Sequence, residues 1–198
     1  MASARFTCLM PMPEPPADLA DLGLAEIAAL AEARRLPPVD QWNPTRCGDS
    51  DMRIARDGTW FHEDRPITRP AMVRLFSTIL RREPDGGFVL VTPAEKLDIL
   101  VEEAPFVAVE LKSEGEGRDR RLGFRLNTGD LVVAGPGHAL RFPLRDDGPH
   151  PLLAVRRGLD ALVARPVYYE LAEIALSEGG DPPGLWSAGS FFALGGGQ

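Results

Sequence analysis

Residues 47–96 read CGDSDMRIARDGTWFHEDRPITRPAMVRLFSTILRREPDGGFVLVTPAEK, and the turn signals and apolar spacing in this block decide the expected fold. Met52, Ile54 and Arg56 lead into Asp57-Gly58, and Thr59 to Glu63 returns with Trp60 and His62 on one face and Phe61 on the other. A two-residue type I′ hairpin turn fits this pair, because such a turn needs positive φ at both central positions. Pro70 suits the first turn of a helix. Met72, Val73, Phe76, Ile79 and Leu80 form its apolar stripe, Arg81-Arg82 complement its C-terminal dipole, and Pro84-Asp85-Gly86-Gly87 stops it.

Downstream of Phe88 the apolar period changes to two, through FVLVT, LDILVE, FVAVELK, RLGFRLN, LVVA and HALRF. That pattern predicts an antiparallel meander of about six strands, with Ser113 to Arg121 as an exposed loop. Leu152, Val155, Leu159, Leu162 and Val163 return to helical spacing after Pro151, and Pro166 opens a further helix, VYYELAEIALSE. Upstream, Leu19, Leu22, Ile27 and Leu30 predict an amphipathic helix ending at Arg34-Arg35 before Pro37-Pro38. The expected class is α+β: an N-terminal helix and a hairpin-helix domain, followed by an antiparallel meander closed by C-terminal helices. The divisions are a mobile Pro-rich leader at 1–17, a domain at 18–87, a sheet domain at 88–178 and a Gly/Pro-rich tail at 179–198. A coarse echo accompanies them, hairpin then helix at 54–80 and again at 124–163, as an ancient duplication or shared packing rules would leave.

The 198 residues suffice for one large domain or two small ones, and 44% hydrophobic content is ordinary for a globular chain. A net charge of −7 opposes attraction to nucleic acid or an anionic membrane, and no segment has a basic excess. Cys8 and Cys47 alone cannot build a disulfide framework or a four-cysteine zinc site, which favours a reducing compartment. The opening MASARFTCLMPMPEPP lacks an unbroken apolar stretch before its prolines, and no run approaches the ~18 apolar residues of a membrane span. A cytoplasmic protein is expected. All basic residues but Lys96 and Lys112 are arginine, so an individual arginine carries less information than usual and a lysine more.

The block quoted above, followed by APFVAVEL and then ARPVYYELAEIA, resembles the uncharacterised bacterial family called domain of unknown function 1285, over roughly Trp42 to Glu178. The run from DGTWFHEDRPI through FVLVTPAEK carries the likeness most specifically. The resemblance implies two domains with duplicated motifs and a C-terminal domain like a pleckstrin-homology sheet closed by a helix. It further implies a nucleotide-like ligand between the domains and a role in signal transduction, with no established catalytic residues.

The residues offer candidates for such a site, each with a bland alternative. Trp60 and His62 suit a pocket wall, stacking on a planar ligand and hydrogen-bonding it; equally, Trp60 is core and His62 an edge residue. Arg65 and Arg69 flank Pro66-Ile67 before a helix N-terminus, where guanidinium and backbone N–H groups hold anions, or they pair with Glu63 and Asp64. In Thr92-Pro93-Ala94-Glu95-Lys96, Thr92, Glu95 and Lys96 present a hydroxyl, an acid and a rare ammonium to a phosphate or carboxylate, or merely form a turn with a surface ion pair. Glu102-Glu103 point to opposite faces of a strand and are not a catalytic pair. Of Tyr168 and Tyr169, one reads as core and the other as lining a groove, with Tyr168 the candidate for the groove; Trp186, Phe191 and Phe192 dock on this chain or on a partner.

His62, His138 and His150 lack metal-ligand spacing, and no HExxH, GxxxxGK[ST], GxSxG or GxGxxG occurs, so no metal or cofactor is expected. The reading is a noncatalytic ligand-binding or regulatory module for a nucleotide-like or other anionic molecule at the domain junction, in bacterial signalling. Two alternatives stand beside it: a small hydrolase or transferase that converges His62, Glu95 and Lys96, and a protein-interaction module using a sheet edge or the aromatic tail.

Overall fold

The computed structural model describes Gly23, residues 36–146 and residues 148–194. Except for Gly23, the leader at 1–17 and the helix expected at 19–35 lie outside the described residues. After a 3-10 turn at Val39–Gln41 come β1 (Cys47–Ile54), β2 (Trp60–His62), β3 (Arg65–Pro66), helix α1 (Pro70–Thr78), β4 (Leu80–Arg82), β5 (Phe88–Val91) and β6 (Lys96–Val101). The second half holds β7 (Phe106–Glu114), β8 (Arg121–Leu126), β9 (Leu131–Val133), β10 (Leu140–Arg141), β11 (Leu144–Arg145), β12 (Gly148–Pro149), β13 (Leu152–Arg156) and β14 (Leu159–Val163). Helix α2 (Arg165–Glu178) and a hairpin of β15 (Gly184–Ser187) and β16 (Ser190–Ala193) complete it.

Two six-stranded sheets dominate, ordered β3-β2-β1-β6-β5-β4 and β10-β13-β14-β7-β8-β9. They share one connectivity. In each, three strands run outward from the centre, the chain crosses to the opposite edge, and three strands return, so that the last lies parallel to the first: β6 beside β1 and β14 beside β7. Helix α1 occupies the crossover of the first sheet, whereas α2 follows the last strand of the second.

This corrects the expected α+β class with its antiparallel meander and C-terminal helices: among the described residues the chain is mostly strand, with two α-helices. Strands β5 and β6 belong to the first sheet, because β6 pairs in parallel with β1; alternation cannot tell parallel from antiparallel partners. The helix expected at 152–163 is the β13–β14 hairpin. Arg157 and Gly158 both take positive φ, 47° and 74°, and the fully buried Leu153 is the residue that the helical stripe leaves out. With that segment a hairpin, the helix half of the expected echo disappears, and likeness between the halves resides in strand order instead. Helix α1 stops at Thr78, and Arg81-Arg82 lie in β4 rather than at a helix end.

The Asp57-Gly58 hairpin forms with a different turn from the expected one. Only Gly58 has positive φ (83°); its N–H donates to Ala55 O at 2.9 Å while Ala55 N–H donates to Thr59 O at 2.9 Å, a longer turn closed by a glycine. A two-residue turn with both φ values positive occurs next door, at Glu63-Asp64.

One apolar cluster runs through both sheets, from Ile54 and Trp60 in the first to Phe106, Phe124 and Leu126 in the second, with Phe76 of α1 stacked on Trp60 at 6.4 Å. Polar contacts fix the two sheets against each other. Asn127, just past β8, accepts Val107 N–H at 3.0 Å and donates to Gly58 O at 3.2 Å. Arg156 donates to Ser77 O at 2.8 Å from the far side, and Arg157 holds Asp40 at 2.8 Å. The aromatic tail docks on this chain: Leu185 is fully buried, and the buried Ser187 Oγ donates to Ala134 O at 2.7 Å and accepts Leu122 N–H at 2.9 Å.

Gly58 sits where no side chain fits. A Cβ there would lie 2.4 Å from Asn127 Nδ2 and 2.9 Å from Val107 Cγ2, in a backbone conformation that L residues avoid. Gly58→Ala is therefore expected to destabilise the protein by about 2 kcal/mol, read as a lowered urea midpoint. An unchanged midpoint would show that the turn is not wedged between the sheets.

Candidate functional site

The Asp57–Trp60 turn, the start of α1 and the Asn127–Gly129 turn enclose a cleft of about 570 Å³ at the junction of the two sheets. Pro70 and Arg74 enter it from one side and Val109 and Arg125 from the other. Helix α1 begins at Arg69-Pro70 with no side-chain cap, so its first turn presents backbone dipoles unneutralised by an acid. The Trp60 indole N–H, fully buried on this wall, has no acceptor among the described residues.

Charge distribution sets this cleft apart. Among the half-buried arginines of the described residues, Arg53, Arg81, Arg120, Arg125 and Arg156 each face a carboxylate, at 2.6, 2.7, 2.9, 2.8 and 3.8 Å. Arg74, also half-buried, faces none. A partly desolvated guanidinium without a counter-ion is costly, and its position on the cleft wall makes it an anion acceptor. Asp57 contributes the opposite charge: the Thr59 N–H that its carboxylate accepts at 2.9 Å holds its carboxyl below the usual range. The cleft therefore brings a guanidinium without a counter-ion and, on another wall, an ionised carboxylate to one concave surface.

Of the residues singled out in the sequence, Trp60 lines this cleft, although as a core residue stacked on Phe76, and Arg69 holds the position just before the helix that enters it without capping it. His62 and Arg65 pair across the exposed β2–β3 hairpin and do not line it. Thr92 takes the bland form, its Oγ1 accepting the N–H groups of Ala94 and Glu95 at 3.3 and 3.1 Å; Glu95 meets Arg46 at 3.5 Å. Lys96 is occupied by Glu83 at 3.1 Å, and Glu83 also accepts from Arg81 at 2.7 Å. Tyr168 lies on a second cleft, described below. Glu102 and Glu103 lie in the bend after β6 and not on a strand as expected: Glu102 accepts from Arg53 at 2.6 Å, while Glu103 faces Arg145 at 2.5 Å and His150 at 2.8 Å.

Arg74 and Asn127 were not legible as site residues. The turn sequence Asn127-Thr128-Gly129-Asp130 was a signal for the second, and helical spacing from Pro70 placed the first one turn into α1. Among the described residues no cluster of His, Cys, Asp and Glu has the arrangement to hold a metal, and no helix is long and apolar enough to cross a membrane.

The Glu83 triad has a defined pH signature. Burial alone would raise the Glu83 carboxyl, but hydrogen bonds from Arg81 and Lys96 outweigh it and hold the group below its ordinary 4.5. The stabilisation is thus complete above that value and is lost as pH falls through the lower folded one. Glu83→Gln is expected to cost about 1 kcal/mol at neutral pH and almost nothing near pH 3, by urea denaturation at the two pH values. A cost independent of pH would remove charge from the account.

Comparison with known proteins places the whole described chain. Residues 37–104 match the model of the N-terminal domain of DUF1285, a domain of unknown function, and residues 105–194 match that of the DUF1285 C-terminal domain. None of the curated proteins compared matches the chain. A crystal structure of a DUF1285 family protein from Silicibacter pomeroyi DSS-3 is similar at 49% identity and a TM-score of 0.75, over 85% of this chain and 93% of that one. Another, from Shewanella baltica OS155, is similar at 26% identity and a TM-score of 0.50, over 64% of this chain and 94% of that one. Two adjoining domain matches and a near-complete structural relative agree, and the chain belongs to the DUF1285 family.

Proposed function

We propose that this protein is a noncatalytic, cytoplasmic regulatory module that holds a small nucleotide-like anion in the cleft between its two sheets. The half-buried Arg74, without a carboxylate partner in a chain of net charge −7, carries the reading. The uncapped start of α1 and the unpartnered Trp60 N–H supply further donors, and Asp57 suits the hydroxyl or amino groups of a nucleoside. Because the walls come from both sheets, a bound ligand would tighten their docking, which is how such a module would report occupancy to a signalling partner. The exposed free thiol of Cys47 suits a reducing compartment.

A hydrolase or transferase built on His62, Glu95 and Lys96 has less support. His62 lies opposite Met52 and Lys96 opposite Cys47, on strands either side of β1, so about 10 Å along the sheet and about 10 Å across it separate their backbones. Lys96 is also engaged by Glu83.

Thermal-shift titration with ADP, cyclic AMP and inorganic phosphate tests the proposal. At least one nucleotide is expected to raise the melting temperature, equivalent to about 2.7 kcal/mol at a hundredfold excess over Kd. Arg74→Gln is expected to raise the unliganded melt slightly, by relieving the unpaired charge, and to weaken nucleotide binding by about tenfold or more. No shift with any of the three probes, or equal affinity in the variant, would refute it.

A further inference from the structure

A second cleft, of about 560 Å³, opens on the other side of the Asp57 turn, and its chemistry differs from that of the first. Pro149, Pro151, Leu162 and Val163 give it apolar walls, joined by Val109, a large apolar side chain left 46% exposed in this concave place. Its size is within the ~300–1,000 Å³ of small-molecule sites, and its walls are of the kind that bury a hydrocarbon body.

The polar groups around it are few. Glu103, just behind the wall, is already met by His150 at 2.8 Å, Arg145 at 2.5 Å and Arg56 at 3.6 Å. Asp57 is the other acid at the cleft. Arg56 and Arg145 both meet Glu103, and Arg165 is a further arginine on the cleft wall. The Arg165 side chain is exposed and has no counter-ion among the described residues. The half-buried Tyr168, packed against Phe142 and Tyr169 at 6.4 and 6.1 Å, lies one helical turn on, and its hydroxyl also has no partner among the described residues.

We infer that this second cleft binds a monoanion with an apolar body, an alkyl or aryl carboxylate, with its carboxylate on Arg165 and Tyr168 and its hydrocarbon against the Leu162–Val109 wall. The first cleft sets an unpaired, half-buried guanidinium and a buried indole N–H against a phosphate. Here one exposed guanidinium beside an apolar wall selects single charge and carbon. The two sites stand or fall separately, since Arg74 and Arg165 belong to different clefts.

Calorimetric titration of the full chain with octanoate, acetate and octanol tests this. Octanoate is expected to bind about tenfold or more tightly than either of the others, since acetate lacks the body and octanol the charge. Arg165→Gln is expected to weaken octanoate about tenfold and leave octanol unchanged, with Arg165→Lys recovering part of the loss. The side chain is exposed, so the melt of each variant should equal that of the wild type. Arg74→Gln should not alter octanoate binding. The inference is overturned if octanoate does not bind, if acetate binds as well, if Arg165→Gln binds octanoate as the wild type does, or if Arg74→Gln abolishes the binding.

Discussion

The Asn127 carboxamide joins the two sheets through one accepted and one donated hydrogen bond. Its oxygen satisfies a strand N–H of the second sheet and its amide nitrogen a carbonyl of the first, at the one residue of that turn, Gly58, that lacks a Cβ. A half-buried amide so placed loses a hydrogen bond if either side withdraws, which makes the junction stiff rather than merely sticky. Both clefts inherit their shape from it: Asp57 and Val109 line both, so the wedged turn is the partition between them.

An acidic protein that builds an anion site must keep a few cations out of its own ion pairs. Most half-buried guanidinium groups here are neutralised at close range, which leaves the field at Arg74 as a local exception instead of part of a basic face. Long-range steering of an anion by such a chain is weak, and selectivity has to come from short-range contacts within the cleft. Arginine abundance concealed this in the sequence, because a residue type used twenty times gives no hint of which copy lacks a partner.

What was readable in the sequence follows what is local. Helix α2 over Arg165–Glu178 was visible from Pro166 and its apolar spacing, and most strand positions from period-two alternation. The hairpin at Asp57-Gly58 was visible too, though not its turn type. Three things were not local. Parallel pairing of β1 with β6 and of β14 with β7 depends on segments tens of residues apart and leaves no mark on either strand. Leu152 to Val163 carries spacings compatible with a helix, and only the positive φ values at Arg157-Gly158 decide for a hairpin. The clefts themselves arise from turns of different halves meeting, so Trp60 and Tyr168, both marked as site candidates, line separate clefts.

The shared connectivity bears on how the chain is made. In each half the strand that emerges first is central and waits for the one that emerges last: Cys47–Ile54 for Lys96–Val101, and Phe106–Glu114 for Leu159–Val163. Neither sheet can be nucleated from one end and extended, because its middle closes last, with the closure entropy of a loop of roughly 50 residues at stake each time. On a ribosome the first half would be able to close once Val101 has left the exit tunnel, but its Gly58 turn would still lack the Asn127 that seats it. The first sheet is thus an incomplete template until the second arrives, and assembly is ordered by the sequence in time as well as in space.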